Sequence, residues 1–232
     1  MNKIQYYFAL LRSLLPSMYV CLKYLPFKQA VKLPILIYKP HHCLFKGNIK
    51  IDTCTISTGM IKFGFPTSVV YPNNGISLRI EGNVIFKGKC YIGNDSYIVV
   101  GKQGKLIYND DFKATCSLKL ICMYDMYFGK HTLCGWEVTI IDSNFHPLYN
   151  IEKKEFKKAF DNICISDNNW FAMRCLVLPG AHTPRNCVFG AKTIVTAKGT
   201  YEPNCVYGGN PIRVLSRNVE RIIGQDYITE YK

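Results

Sequence analysis

The sequence lacks an apolar run long enough to cross a bilayer. Its most apolar stretch, residues 4–25, is interrupted by Arg12, Pro16 and Lys23, whereas a membrane-spanning helix needs about 20 consecutive apolar residues. We therefore predict neither a transmembrane helix nor a signal peptide. The expected location is the cytoplasm.

Paired-cysteine motifs are missing, although cysteine itself is common. The chain contains 11 cysteines, an odd number, and no two of them are spaced as Cys-x-x-Cys. Disulfide frameworks are typical of short secreted chains, which this is not. Reduced thiols that serve as small apolar side chains are the simpler expectation.

Acidic residues are scarce relative to basic ones. The chain has 16 Asp and Glu against 29 Lys and Arg, which gives a net charge of +13. The basic residues are spread along the chain, and no zinc-finger spacing or RNP-like aromatic motif accompanies them, so we do not expect a nucleic-acid partner. Anionic lipid and the phosphates of a nucleotide cofactor are the remaining anionic neighbours that would fit this charge.

A six-residue repeat occupies much of the chain. Its mostly apolar position falls at Ile165, Phe171, Val177, Thr183, Phe189, Val195, Tyr201 and Tyr207, and upstream at Ile80, Phe86, Ile92, Ile98, Leu106, Phe112, Leu118, Phe128, Cys134 and Ile140. Small residues recur four places later, among them Cys116, Cys122, Cys175, Cys187 and Cys205. A helix needs spacings of three and four, and a half-buried strand alternates, so neither explains this period. We predict about six triangular coils of three hexads each, with the apolar position inside and the small position at the corner.

Four segments resemble one family. The ending Gly208-Gly209-Asn210-Pro211-Ile212-Arg213-Val214, the segments 169–172 and 190–195, and the loop Asp142-Ser143-Asn144-Phe145-His146-Pro147 are similar to motifs of the hexapeptide-repeat acyltransferases. The loop is most similar to that of bacterial O-acetyltransferases that modify surface polysaccharides. The resemblance covers roughly residues 47–220, and it implies an all-β solenoid, the left-handed parallel β-helix.

The two ends of the chain lack the hexad. We expect an N-terminal helical and extended cap over 1–75, with short helices at 3–15 and 17–25 split at Pro16. The β-helix domain is expected over 76–212 with a projecting loop at 142–164, and a C-terminal helix over 213–232 because apolar residues recur there at helical spacing. The cap either closes the open end of the solenoid or leans on a membrane through a basic, aromatic surface, and the two roles are compatible.

The projecting loop carries the predicted catalytic residue. His146 suits a general base because neutral imidazole accepts a proton near pH 7. The resemblance implies an acetyl-CoA-dependent O-acetyltransferase that acts on a sugar or glycan hydroxyl. Asp142 is expected either to orient the His146 ring or simply to end a strand, and Asn144 replaces an aspartate of the family loop and lies near the substrate.

The resemblance also implies a homotrimer with acetyl-CoA between neighbouring subunits. Carried over by motif, the cofactor contacts are Ala172, Ala191 and Thr196 through their backbones, Lys198 as a substitute for a family lysine, and Arg213 at the phosphates. The alternative for these residues is ordinary coil packing. Arginine suits a phosphate because its fork of donors is permanently charged.

Several alternatives stay open at this point. Trp136 is expected either to stack on a sugar ring or to lie at a subunit contact. The acceptor of the acyl group could instead be an amine or free serine, and a non-catalytic binding scaffold would share the fold. Zinc carbonic anhydrases also adopt left-handed β-helices, but the coil region lacks their close-spaced histidine pair, so no metal is expected.

Overall fold

The computed structural model describes residues 3–68 and 70–224. Nearly all of its strands are parallel and form three sheets, and together they wind into a three-sided parallel β-helix. The predicted solenoid is therefore confirmed. We number the faces 1, 2 and 3 in the order in which the chain crosses them within a coil, and the corners between them 1–2, 2–3 and 3–1.

The elements follow in chain order. Two helices, α1 (Lys3–Tyr24) and α2 (Phe27–Ala30), precede the coils. Coils one to three are β1 (Ile35–Ile37), β2 (Pro40–Phe45), β3 (Asn48–Ile51), β4 (Ile61–Phe65), β5 (Ile76–Ile80), β6 (Asn83–Phe86), β7 (Cys90–Gly93), β8 (Ser96–Val100) and β9 (Lys105–Tyr108). Coils four and five are β10 (Phe112–Ala114), β11 (Lys119–Cys122), β12 (Asp125–Phe128), β13 (Leu133–Cys134), β14 (Thr139–Ile141) and β17 (Ile163–Ile165), and the hairpin of β15 (Leu148–Asn150) and β16 (Glu155–Lys157) projects from coil five. The remaining strands are β18 (Trp170–Phe171), β19 (Leu176–Val177), β20 (His182–Thr183), β21 (Val188–Phe189), β22 (Ile194–Val195), β23 (Cys205–Gly208) and β24 (Arg213–Arg217).

The solenoid begins earlier than predicted. Strand β1 pairs with β4 in the register Ile35↔Ile61, so the first coil starts at Ile35, inside the range 1–75 that we expected to be only a cap. Long connections at 52–60 and 66–75 separate the first strands and break the six-residue spacing there. Backbone pairing between coils needs only matching strands, so a solenoid continues where its hexad is no longer visible.

The inward hexad position is confirmed by burial. All of the apolar positions named above are buried except Tyr201, which is half-buried. Aromatic rings stack up the interior, with Phe86, Tyr108 and Phe128 at centroid spacings of 5.5 Å on face 3. Phe171 and Phe189 stack at 4.9 Å on face 1. Stacking of rings from successive coils stabilises the register that the backbone ladders define.

The cysteines behave as small apolar residues. Cysteine forms no disulfide in the described chain, and most of the thiols are buried. Burial raises the pKa of Cys116 and of Cys175 to about 11, and that of Cys187 to about 12. These thiols stay protonated near neutral pH and are poor nucleophiles.

The turns at corners 1–2 and 3–1 contain residues with positive φ. At corner 3–1 these include Asn168, Asn186 and Asn204, each with φ of 58° or 59°. Asparagine tolerates this left-handed conformation better than most residues. Their amides form a ladder, with Nδ2 of Asn168 donating to Oδ1 of Asn186 at 3.0 Å and Asn186 donating to Asn204 at 2.9 Å.

Residues 3–24 form one helix, where we predicted two. Helix α1 continues through Pro16, where we predicted a break. The buried Ser17 hydroxyl donates to the carbonyl of Ser13 at 2.5 Å and accepts the amide hydrogen of Ile37 at 2.9 Å. Val20 and Cys21 pack into the core at the open end of coil one. Packing against this end outweighs the hydrogen bond that proline removes.

The predicted C-terminal helix is wrong where the structure describes it. Arg213–Arg217 is a strand, β24, antiparallel to β23, and residues 218–224 are not helical. Residues 225–232 of that prediction lie outside the described residues. Strand β23 ends face 1, and β24 covers its hydrogen-bonding edge, which would otherwise be open. Pairing with the edge of β23 therefore makes residues 213–217 a strand, although the apolar residues of the C-terminal segment recur at helical spacing.

The stacked aromatic rings should contribute strongly to the free energy of unfolding. Phe128→Ala should lower the free energy of unfolding by about 3–5 kcal/mol, because the ring is fully buried between Tyr108 and Phe112 and its loss leaves a cavity. Chemical denaturation followed by circular dichroism measures this. Tyr97→Ala, at an outward position of face 2, should change it by only about 0.5 kcal/mol. Equal losses for both variants would contradict the inward assignment.

Candidate functional site

A hairpin projects from corner 2–3 of coil five. Strands β15 and β16 pair antiparallel, and the amide of Asn144 donates to the carbonyl of Ala159 at 2.7 Å at its base. We call residues 142–162 the arm. The arm carries the exposed side chain of His146, whose amide donates to the carbonyl of Asn144 at 2.7 Å.

The arm leans toward the N-terminal end of the solenoid. Phe160 packs on Tyr124 of coil four, with ring centroids 4.8 Å apart, and Lys158 lies 5.5 Å from the centroid of each ring. Phe145, next to His146, faces a cleft of about 500 Å³. The cleft is otherwise lined by corner 2–3 of coils two to four, through Arg79, Glu81, Val99, Gly101, Lys102, Gln103 and Met123.

The polar lining of this cleft was not predicted from the sequence. Arg79 donates to Glu81 at 2.6 Å and lowers the pKa of that carboxyl, while Lys102 and Gln103 add further donors and an acceptor. One feature of the sequence indicates a wider corner here, because Ile98 and Leu106 are eight residues apart instead of six. The two extra residues fall at 101–104, between β8 and β9, and widen this corner.

Asp142 does not orient His146. Its buried carboxylate accepts the amide hydrogens of Met123 at 2.7 Å and Tyr124 at 2.8 Å. Burial raises the pKa of Asp142, and these backbone donors oppose that rise. Asp142 therefore ties the base of the arm to coil four, which is closer to our alternative that it ends a strand. No hydrogen bond from a described side chain reaches the His146 ring.

The predicted substrate residues lie at different corners. Asn144 is exposed on the arm beside His146. Trp136 lies at corner 1–2, across face 2 from the arm, and its ring packs on Tyr71 at 5.7 Å. Within one chain, the fold does not bring Trp136 and His146 together.

The predicted cofactor residues divide in the same way. Ala172 and Ala191 follow face 1 at corner 1–2, whereas Thr196 and Lys198 lie at corner 2–3, two coils beyond the arm. The backbone of Thr196 is already engaged, because its amide donates to the Tyr201 hydroxyl at 3.0 Å and that hydroxyl donates to its carbonyl at 3.1 Å. The predicted Thr196 backbone contact is therefore not supported. Arg213 is exposed at the start of β24, and no described acidic residue forms an ion pair with it.

Of the other coil histidines, His41 and His42 are exposed on β2, and His131 and His182 have separate surroundings. His131 contacts Asp111 at 3.0 Å through Nδ1 at corner 3–1. His182 is exposed on face 3, near Asp161 at the base of the arm. Among the described residues, no group of three or more His, Cys, Asp and Glu is arranged to hold a metal ion.

Two curated relatives are similar to part of this chain. A galactoside O-acetyltransferase of Lactococcus lactis is 29% identical over 149 residues, 64% of this chain and 70% of that protein. A galactoside O-acetyltransferase of Escherichia coli K12 is 29% identical over 122 residues, 53% of this chain and 58% of that protein. These relatives agree with the resemblance of the chain to the hexapeptide-repeat acyltransferases. No protein-family model matches it.

Two solved structures are similar to this chain at low identity. The polySia-specific acetyltransferase NeuO is 16% identical with a TM-score of 0.44, over 82% of this chain and 84% of that one. A hexapeptide-repeat acetyltransferase from Vibrio cholerae, solved in complex with acetyl-CoA, is 10% identical with a TM-score of 0.31, over 94% and 92% of the two chains.

A charged cluster lies beside Trp136. Arg174 donates to Glu137 at 2.6 and 3.1 Å, and the Tyr71 hydroxyl donates to the same carboxylate at 2.6 Å. The Arg174 guanidinium, aided by Tyr71, lowers the pKa of Glu137 to about 2, and the bond to Glu137 raises the pKa of Tyr71 to about 12. The cluster holds the 66–75 connection against corner 1–2.

The lowered pKa of Glu137 predicts that the stability of the fold depends on pH. Because the folded-state pKa lies below the ordinary value of 4.5, the carboxylate stabilises the fold above pH 4.5, and this contribution disappears as pH falls toward 2. Glu137→Gln should therefore destabilise the chain at pH 7 and match the wild type near pH 2, measured by denaturation across that range. In an Arg174→Gln background the same substitution should show much less pH dependence. A constant difference at every pH would contradict the assignment.

Proposed function

We propose that this acyltransferase moves the acetyl group of acetyl-CoA to a hydroxyl of a sugar or glycan precursor, with His146 as the general base. The observation that carries the proposal is that the arm presents His146 in the open, next to Phe145 at a cleft with a polar lining. The similar galactoside O-acetyltransferases support acetyl transfer to a sugar hydroxyl.

The proposed reaction is a direct transfer. Neutral His146 takes the proton of the acceptor hydroxyl while its oxygen attacks the thioester carbonyl. The tetrahedral intermediate collapses, the carbon–sulfur bond breaks, and the imidazolium returns its proton to the departing CoA thiolate. No covalent acyl-enzyme is needed. Burial raises the pKa of the corner cysteines, so these thiols are poorly suited to act as nucleophiles.

The site is proposed to form between subunits of a homotrimer. Ala172, Ala191 and Trp136 lie at corner 1–2, and His146 and Lys198 lie at corner 2–3. A neighbouring copy can bring its corner 1–2 against the arm, which a single chain cannot do. The arm also exposes apolar side chains suited to such a contact, namely Leu148, Tyr149, Ile151 and Phe156.

Two further elements belong to the proposal. Arg213, with Lys198, would bind the phosphates of acetyl-CoA. The enzyme would act at the inner face of the membrane as a peripheral protein. No described helix is long and apolar enough to cross a bilayer.

The acceptor class is open to a direct test. The donors Arg79, Lys102 and Gln103 with the acceptor Glu81 suit sugar hydroxyls, because a polyol ring offers both donors and acceptors. Acetyl transfer should be measured against galactosides, amino sugars and free serine. A product acetylated on nitrogen, or transfer to serine alone, would replace the proposed acceptor.

His146→Ala should lower kcat by about 100-fold or more, because a positioned general base contributes about 10²- to 10⁴-fold. Binding of acetyl-CoA, measured by calorimetry, should be retained. His41→Ala is the matched control, since this exposed histidine lies in coil one, and its activity should stay at the wild-type level. Full activity in His146→Ala with loss in His182→Ala would move the base to His182.

Arg213→Ala should raise the KM for acetyl-CoA by about 10- to 100-fold, because a hydrogen bond to a charged group contributes about 1.5–3 kcal/mol. The 3′-dephospho form of acetyl-CoA should bind the wild type less tightly than acetyl-CoA, and the variant should not distinguish the two donors. Arg217→Ala is the control, since this guanidinium contacts Glu202 at 3.3 Å. A variant that still prefers the phosphorylated donor would exclude Arg213 from the phosphate site.

A further inference from the structure

Helix α1 exposes an apolar face that covers most of its length. The exposed side chains recur at helical spacing along one side of the helix, at Tyr7, Phe8, Leu11, Leu14, Leu15, Met18, Tyr19 and Leu22. Leu15 is 80% exposed and Leu11 is 64% exposed. Contiguous apolar surface of this kind on a folded protein marks an interaction site.

The opposite side of α1 is already used for folding. Ser13, Ser17, Val20 and Cys21 are buried, and the last two pack into the solenoid core. Helix α2 repeats the arrangement, with Ala30 buried and Phe27 exposed, and Val31 directly after the helix is exposed as well. The exposed face of α1, together with Phe27 and Val31, therefore faces away from the coils. We name it the end face.

The end face lies in a strongly basic part of the chain. Residues 1–51 contain no Asp or Glu, and their basic residues are Lys3, Arg12, Lys23, Lys28, Lys32, Lys39, Lys46 and Lys50. Arg12, Lys23 and Lys28 have exposed side chains on the two helices that carry the end face. Exposed apolar residues bordered by unopposed positive charge are typical of helices that lie in the headgroup layer of an anionic membrane.

The end face could bind a second copy of this chain or an anionic membrane, and its charge favours the membrane. A second copy would bring an identical set of positive charges against the first with no acidic residue in 1–51 to pair them. Like charges placed together oppose association. An anionic bilayer supplies both the counter-charge and an apolar layer for the leucines.

We propose that the end face docks on anionic phospholipid, with α1 lying in the interface and the solenoid axis rising from the bilayer. Leu11, Leu15 and Leu22 enter the boundary between headgroups and acyl chains, and Lys23 and Lys28 meet lipid phosphates. The proposal gives the peripheral membrane contact of the proposed function its surface and its lipid class. Its test needs no catalysis, so it stands or fails independently of acetyl transfer.

The test is sedimentation of the full-length protein with vesicles. The wild type should bind vesicles of phosphatidylcholine mixed with phosphatidylglycerol much better than vesicles of phosphatidylcholine alone. Binding should weaken in about 1 M salt, where the screening length falls to about 3 Å. The triple variant Leu11→Gln, Leu15→Gln, Leu22→Gln should bind about tenfold less or worse, because the apolar contribution is lost.

The control changes three exposed apolar residues of the C-terminal segment, away from α1. Leu215→Gln, Ile222→Gln, Ile223→Gln should bind vesicles like the wild type, and circular dichroism should show that both triple variants fold. Wild-type protein that ignores both kinds of vesicle would overturn the proposal. So would an unchanged α1 variant, or a lower oligomeric state in the α1 variant without any vesicle binding, which would assign the end face to a second copy.

Discussion

The structure depends on parallel backbone pairing between successive coils in constant register. Pairing Phe86 with Tyr108, and Tyr108 with Phe128, places equivalent residues directly above one another. Each inward side chain then contacts mainly its equivalents in the adjacent coils, so an aromatic position in one coil favours an aromatic position in the next. The same constraint turns every insertion outward, because an added residue cannot enter the ladder without shifting the register of all later strands.

This constraint explains which parts of the fold the sequence could predict. Phe171 and Phe189 both point inward and both occupy the six-residue spacing, so the hexad alone identifies them as core residues. The first coil escaped notice because the connections at 52–60 and 66–75 interrupt the spacing while leaving the pairing of Ile35 with Ile61 intact. The C-terminal segment has apolar residues at helical spacing, yet the edge of β23 recruits it as a strand. Edge hydrogen bonding is a tertiary demand that local spacing does not contain.

The site was predictable to the same limited degree. The arm and His146 follow from an interruption of the hexad combined with a family motif, and the structure has the arm at that interruption. Asp142 lies four residues from His146 in sequence, but its carboxylate binds amides of the previous coil. Trp136 is close to His146 in sequence as well, yet a whole face separates them. Residues that are close in sequence within one coil lie on different faces or corners of the solenoid. Residues meet at a site when they occupy the same corner in neighbouring coils.

The interruptions of the solenoid also give two of its surfaces different chemical character. The arm leans toward coil four, and its cleft is built from coils two to four, so the polar site opens along the half of the solenoid nearest α1. Successive coils rise by about 4.8 Å, which puts this cleft within roughly three coil spacings of the basic, apolar end face. A uniform ladder therefore fixes the distance between two surfaces of opposite character that lie far apart in the sequence. Flexible connections of the same length would not hold that distance, because each additional residue widens the distribution of end-to-end distances.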